Sequence, residues 1–377
     1  MSQSVTQSSS YASQKATAAD LSIFEKLDLL PAVAVSWANA FAAIFTGVFR
    51  PKSQRPSSYY RYVNLTFLRT ITRRTTARQQ HYMTPPTDDA YIAVCKKRNF
   101  TPNSEILEDG TRAHWIGSSK AEKLVLNFHG GGYVVPASTA MFEFMFQIVD
   151  TLKAQGKDIA VLMLSYDLAP GRPYPRQLQQ ASALLNHVLL NLNYRPQNIL
   201  LSGDSAGANL VLSLLSHLSH PHPSTTLRIP AITLSAPLRG AVLISPWVSF
   251  NTQTPSFLSN AYKDSLTPTA LHSFSTSFLS HQPPDYYNEP LSAPESWWSD
   301  MPIDEILIVA GEDEVLIDSI RALDEKLRLA LGDQRVKRLV ARGEYHDQSS
   351  LDLGFGYTEM DEGVQAKKIK SWIGSKL

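Results

Sequence analysis

The chain has 377 residues, 43% of them hydrophobic, with 35 Lys/Arg against 34 Asp/Glu and one cysteine. That length can bury a large core, while a net charge of +1 gives no electrostatic case for nucleic acid or an anionic membrane. The lone Cys95 excludes an internal disulfide framework and a cysteine-based zinc site; without activating neighbours it reads as a packed side chain.

Residues 1–20 are rich in Ser and Gln, lack an apolar stretch and read as a disordered tail, not a secretory signal. Residues 21–115 form an N-terminal segment that precedes the regular pattern. Within it, Leu29–Phe49 runs 21 residues without a charge, about the length that spans a bilayer. Its Ala content, with Ser36, Asn39 and Thr46, favours instead a buried helix covering an active site, and no stable membrane anchor is expected.

From residue 124 onward, apolar runs alternate with helical patterns. Leu124–Phe128, Ile159–Tyr166, Asn198–Ser202, Ala241–Ser245, Ile306–Ala310 and Val336–Val340 read as strands, most of them without polar alternation, as in a parallel sheet covered on both faces. Pro175–Asn191 is an amphipathic helix with Leu178, Ala181, Leu185 and Val188 on one face. Ser319–Leu331 repeats the pattern with Ile320, Leu323, Leu327 and Leu331. The implied fold is a mostly parallel, doubly wound α/β sheet whose core comprises 116–250 and 301–377. Residues 251–300, rich in Ser, Pro and aromatics, interrupt it; with 21–115 they are expected to form a cap above the strands' C-terminal edge.

The chemistry sits in the turns. Gly130-Gly131-Gly132 follows His129 directly after a strand. Without a P-loop or dinucleotide pattern, three glycines let backbone N–H groups approach a substrate oxygen. Gly203-Asp204-Ser205-Ala206-Gly207 lies between a strand and a helix. This G-x-S-x-G context predicts a strained turn that presents Ser205 as nucleophile. The N–H groups of Gly131, Gly132 and Ala206 are the expected oxyanion hole, with His129 and Asp204 structural beside it. His346, after the last strand, is the expected base. His217, His220 and His222 read as a solvated loop rather than metal ligands. In Ala310–Asp318 two acids, Asp313 and Glu314, compete for the imidazole, and reading forward from the strand A-G-x-D picks Asp313. Glu312 is expected in solvent and Asp318 as a helix cap.

These motifs, with Ser245-Pro246-Trp247 and the Ser165–Pro175 segment, resemble the hormone-sensitive lipase family of α/β-hydrolases over residues 124–377. In that segment Asp167 and Gly171 replace the family's Arg and Glu, and an Asp167–Arg172 pair is expected in compensation. The resemblance implies an α/β-hydrolase fold with a helical cap. It also implies a serine esterase working through an acyl-serine with Ser205, an acid and His346, without cofactor or metal; the family's D-x-L-x-D pattern falls without a gap on Glu314–Asp318, which favours Glu314 over Asp313 as that acid. Cap aromatics Trp37, Phe41, Phe257, Phe274 and Trp297 suggest a medium-sized apolar ester, in secondary metabolism for example. Alternatives are acyl-CoA thioester hydrolysis, acyl transfer or non-hydrolytic condensation with the same triad, and a non-catalytic small-molecule receptor. The final Ser375-Lys376-Leu377 reads as a signal for the peroxisomal import receptor, with cytoplasmic residence as the alternative.

Overall fold

A computed structural model describes residues 21–224 and 227–376; the expected tail at 1–20 and Leu377 lie outside them. Eight strands form one sheet: β1 (Ser104–Ile106), β2 (Arg112–Ile116), β3 (Lys123–Phe128), β4 (Ile159–Ser165), β5 (Ile199–Asp204), β6 (Gly240–Ile244), β7 (Ile306–Gly311) and β8 (Val336–Ala341). Their order is β1-β2-β4-β3-β5-β6-β7-β8. Only the β1–β2 and β2–β4 pairings are antiparallel.

The central strands are apolar because each contributes to two cores. Leu124, Leu126 and Phe128 of β3 face one side and Val125 the other; in β7, Ile306 and Ile308 oppose Leu307 and Val309. Each such side chain contributes about 2 kcal/mol on burial, which makes this register hard to shift. Strand β8 lies at the edge and buries only its end residues Val336 and Ala341, exposing Arg338.

The sheet begins earlier than the sequence suggested. The segment 21–115 was expected to stand wholly outside the core, yet β1 and β2 pair into the sheet, so the core starts at Ser104. Before it come α1 (Ile23–Thr46), α2 (Tyr59–Arg74), α3 (Ala77–Met83) and α4 (Thr87–Arg98). Helix α1 is capped by a Ser22–Glu25 capping box and buries the small or medium side chains Leu29, Ala32, Ser36, Ala40 and Ala43. It packs along α2. Its other face is open, with Phe24 83% and Phe41 64% exposed, and the turn that follows exposes Phe49 by 87%. The expected buried helix is therefore buried along one stripe only. Trp37 and Phe41, expected as cap aromatics over a substrate, face outward instead.

Helix α5 (Thr139–Ala154) follows the glycine loop in the chain and packs on β2 and β4. Helices α6 (Arg176–Leu190) and α7 (Ala206–Ser219) follow β4 and β5. The four apolar positions expected on α6 are all buried. Between β6 and β7 come the short α8 (Ser256–Ser259) and α9 (Pro268–Leu279); α9 packs against α2 and α3. Helices α10 (Ile317–Leu331), α11 (Gln348–Gly354) and α12 (Val364–Ser375) complete the chain.

Candidate active site

All the turns that carry candidate chemistry leave the C-terminal ends of parallel strands. Parallel registers of β3 with β5, β5 with β6, β6 with β7 and β7 with β8 bring those ends side by side.

Ser205 follows β5 as the cap residue of α7, with φ 52° and ψ −114°. A non-glycine residue adopts that conformation only under constraint from its surroundings. The constraint is visible on both flanks. A Cβ at Gly203 would meet the Gly207 carbonyl carbon at 2.3 Å, and one at Gly207 would meet the Phe128 carbonyl oxygen at 1.8 Å. The two glycines allow strand, turn and helix to close this tightly, which thrusts the serine out of the turn. Its N–H donates to the Ile244 carbonyl at 2.8 Å.

The glycine loop after β3 lies beside this turn. The Gly130 N–H donates to the Asp204 carboxylate at 3.0 Å, so Asp204 joins the two motifs. Gly131 and Gly132 both have positive φ, 106° and 61°. Among the described residues, the N–H groups of Gly131, Gly132 and Ala206 make no hydrogen bond. They are unpaired N–H donors, and α7 begins at Ala206, so the positive end of its dipole lies there. His129 is fully buried, stacks on Tyr166 with centroids 4.1 Å apart and donates from Nδ1 to the Gly130 carbonyl. Burial pushes its pKa down to about 4, so the ring is neutral.

The two candidate acids separate cleanly. Asp313 turns away and pairs with Lys263 at 2.8 Å. Glu314 is fully buried, and its Oε2 lies 3.4 Å from His346 Nδ1. Its other oxygen accepts from the Ser245 hydroxyl at 2.6 Å. Burial raises the Glu314 pKa, and His346 opposes the rise. Glu312 is exposed, as expected. Asp318 is not the cap of α10: that helix starts at Ile317, and Asp318 accepts the N–H of Ser256 instead.

The imidazole has a second carboxylate. Asp347, in a left-handed conformation at φ 52°, places Oδ2 3.2 Å from His346 Nε2. Burial alone would lower the His346 pKa, but Asp347 and Glu314 on opposite nitrogens outweigh it and raise it well above the ordinary value. Asp204 is raised as well, first by burial and then by the nearby Asp347. Sequence reasoning missed Asp347; its only signal was adjacency to His346. It also missed what Ser245 does. Its hydroxyl donates to Glu314 and accepts the Asp347 N–H at 3.2 Å, which joins the acid loop to the histidine loop.

Other expected contacts differ. Asp167 pairs with Arg176 at 2.7 Å, not with Arg172, because α6 brings Arg176 to it. The histidine-rich segment is not a solvated loop. His217 is buried against the Pro230 carbonyl, His220 stacks on Trp297, and His222 meets the Tyr174 hydroxyl. Cys95 is buried, and burial pushes its thiol pKa up.

Comparison with known proteins follows this geometry. Residues 125–349 match a family model described as the alpha/beta hydrolase fold. An acetyl-hydrolase of Streptomyces hygroscopicus is 29% identical over 56% of this chain and 64% of its own length. Steryl acetyl hydrolase 1 of Saccharomyces cerevisiae is 22% identical over 55% of this chain and 48% of its own. The chain thus spans about half to two thirds of these relatives. Among solved structures, an esterase from the bacterial hormone-sensitive lipase family superposes with a TM-score of 0.57 at 22% identity, covering 92% of this chain and 96% of that one.

Proposed function

The chain belongs to the α/β-hydrolase fold family, and from that premise we propose that it is an esterase of the hormone-sensitive lipase type that hydrolyses a carboxylic ester of apolar character through an acyl-serine on Ser205. The observation that carries this reading is the Ser205 turn. A strained serine stands at a helix N-terminus, on the strand edge that also holds His346 with a buried Glu314 at its Nδ1.

In this reading Ser205 Oγ attacks the acyl carbon as its proton passes to His346 Nε2. The carbonyl oxygen becomes an oxyanion that accepts from the N–H groups of Gly131, Gly132 and Ala206. Collapse returns the proton to the leaving alkoxide, and water repeats the cycle on the acyl-serine. Glu314 fixes the Nδ1–H tautomer and stabilises the imidazolium. Nε2 must exchange Asp347 for Ser205 before attack. Residues 21–103 and 251–300 act as the cap. In support, α9 packs on α2 and α3, His81 of α3 contacts the Val134 carbonyl, and a Cβ on Gly132 would lie 2.4 Å from the Phe274 ring. Phe274 thus gives the oxyanion loop an apolar wall. The relatives named as acetyl hydrolases make a short acyl group the first to test.

The test is hydrolysis of p-nitrophenyl esters from acetate to octanoate beside acyl-CoA thioesters. Esters should turn over and Ser205→Ala should lose at least about 1,000-fold in kcat. Activity confined to thioesters would replace this reading with its thioesterase alternative.

Peroxisomal delivery through Ser375-Lys376-Leu377 is a further part of the proposal. Lys376 packs against the body, with Nζ 2.9 Å from Glu305 and its carbonyl accepting from Arg239. A receptor that grips this tail has to open both contacts. A fluorescent fusion masking Leu377 should move to the cytosol; retention in peroxisomes would count against the signal.

A further inference from the structure

The outward face of α1 and its continuation to Phe49 carries eleven exposed large apolar side chains: Ile23, Phe24, Leu27, Leu30, Val35, Trp37, Phe41, Ile44, Phe45, Val48 and Phe49. Single exposed apolar residues need no explanation, but a face of this extent marks something the protein binds. The charge around it is uneven. The whole chain is nearly neutral, yet residues 21–83 hold nine Lys/Arg against two Asp/Glu. Among the described residues, Lys26, Arg50, Lys52, Arg55 and Arg73 of this segment have no carboxylate partner. A near-zero total charge concealed a cationic, apolar module.

We propose that this face docks the protein on an anionic lipid surface, with α1 lying in the interface plane. An exposed apolar stripe flanked by cations is the signature of an interfacial helix, which gains from apolar burial and from attraction to anionic headgroups. Helix α1 is long and apolar enough to cross a membrane. Its attachments argue against crossing. It packs along α2, Asn39 donates to Thr70, and Tyr59 donates to the Ala43 carbonyl. Crossing would either strip these contacts or draw Arg61, Arg69, Arg73 and Arg74 of α2 into hydrocarbon. Lying flat keeps α2 on the aqueous side. A second copy of the chain is a poorer occupant, since the two cationic flanks would face one another. The preceding residues 1–20 contain few large apolar side chains to cover eleven.

The test is co-sedimentation of the full chain with phosphatidylcholine vesicles with and without phosphatidylglycerol, at low and high salt, following Trp37 emission. Binding is expected with phosphatidylglycerol, weakened by salt. Phe41→Glu with Phe45→Glu should weaken it at least about tenfold, and Lys26→Glu with Lys52→Glu should remove its dependence on lipid charge. These side chains are exposed, so unchanged circular dichroism and p-nitrophenyl acetate hydrolysis would show that the variants fold. No binding by wild type overturns the proposal, as does binding indifferent to vesicle charge or to the Phe41/Phe45 changes. A concentration-dependent dimer abolished by those changes would assign the face to a second copy. Protein that resists carbonate extraction from vesicles would assign it to a spanning helix.

Discussion

Two carboxylates bracket one imidazole in this site, and they make different predictions. Glu314 sits on Nδ1 with no exposure and two further donors, whereas Asp313 is committed to Lys263. Glu314→Gln should therefore lower kcat by about 100-fold or more, and Asp313→Asn by less than about threefold, in steady-state ester hydrolysis. Asp347 acts on Nε2, the nitrogen that must be unprotonated to accept from Ser205. Because the two carboxylates raise the His346 pKa, activity should be lost as pH falls through a midpoint above 6.5. Asp347→Asn removes one of the raising charges and should move that midpoint downward; a pH–kcat/KM profile that does not move would remove Asp347 from the account. Ser245 joins both loops through one hydroxyl. Ser245→Ala leaves the buried Glu314 short of a donor and should destabilise the fold by about 1–3 kcal/mol in urea unfolding. The motif reading identified Ser205 and His346 as candidates because their types and positions are local signals. Asp347 and Ser245 were hidden because their roles depend on a left-handed turn and on contacts 69 and 102 residues away.

At the scale of elements, legibility followed burial. Five of the six parallel strands, β3 to β7, were readable because they are apolar on both faces, and β8 was readable from its apolar ends although it carries Lys337 and Arg338. Strands β1 and β2 were not, since their polar residues find partners only in the fold: Trp115 donates to Glu105, and His114 contacts Asp88 and Ser104. Helix α1 was found by its composition, but composition does not say which face packs. The strand–turn–helix around Ser205 is the element whose geometry is least tolerant. A methyl group at Gly207 has nowhere to go between α7 and the end of β3, so Gly207→Ala should lower the melting temperature by several degrees and reduce activity together. A variant that kept both would mean the turn is looser than the contacts imply.

For the molecule as a whole, one sheet edge collects the strained Ser205, the unpaired N–H groups of the glycine loop and the carboxylate-held His346 from β3, β5, β7 and β8. The N-terminal helices and α9 stand beside them, and the apolar face of α1 points away. The central claim is that Ser205 is the atom that becomes acylated. It is tested most directly by intact and peptide mass spectrometry after treatment with a fluorophosphonate. The account predicts one adduct per chain, located at Ser205 and absent from Ser205→Ala. A folded protein that gained no adduct, or carried it on another residue, would contradict it.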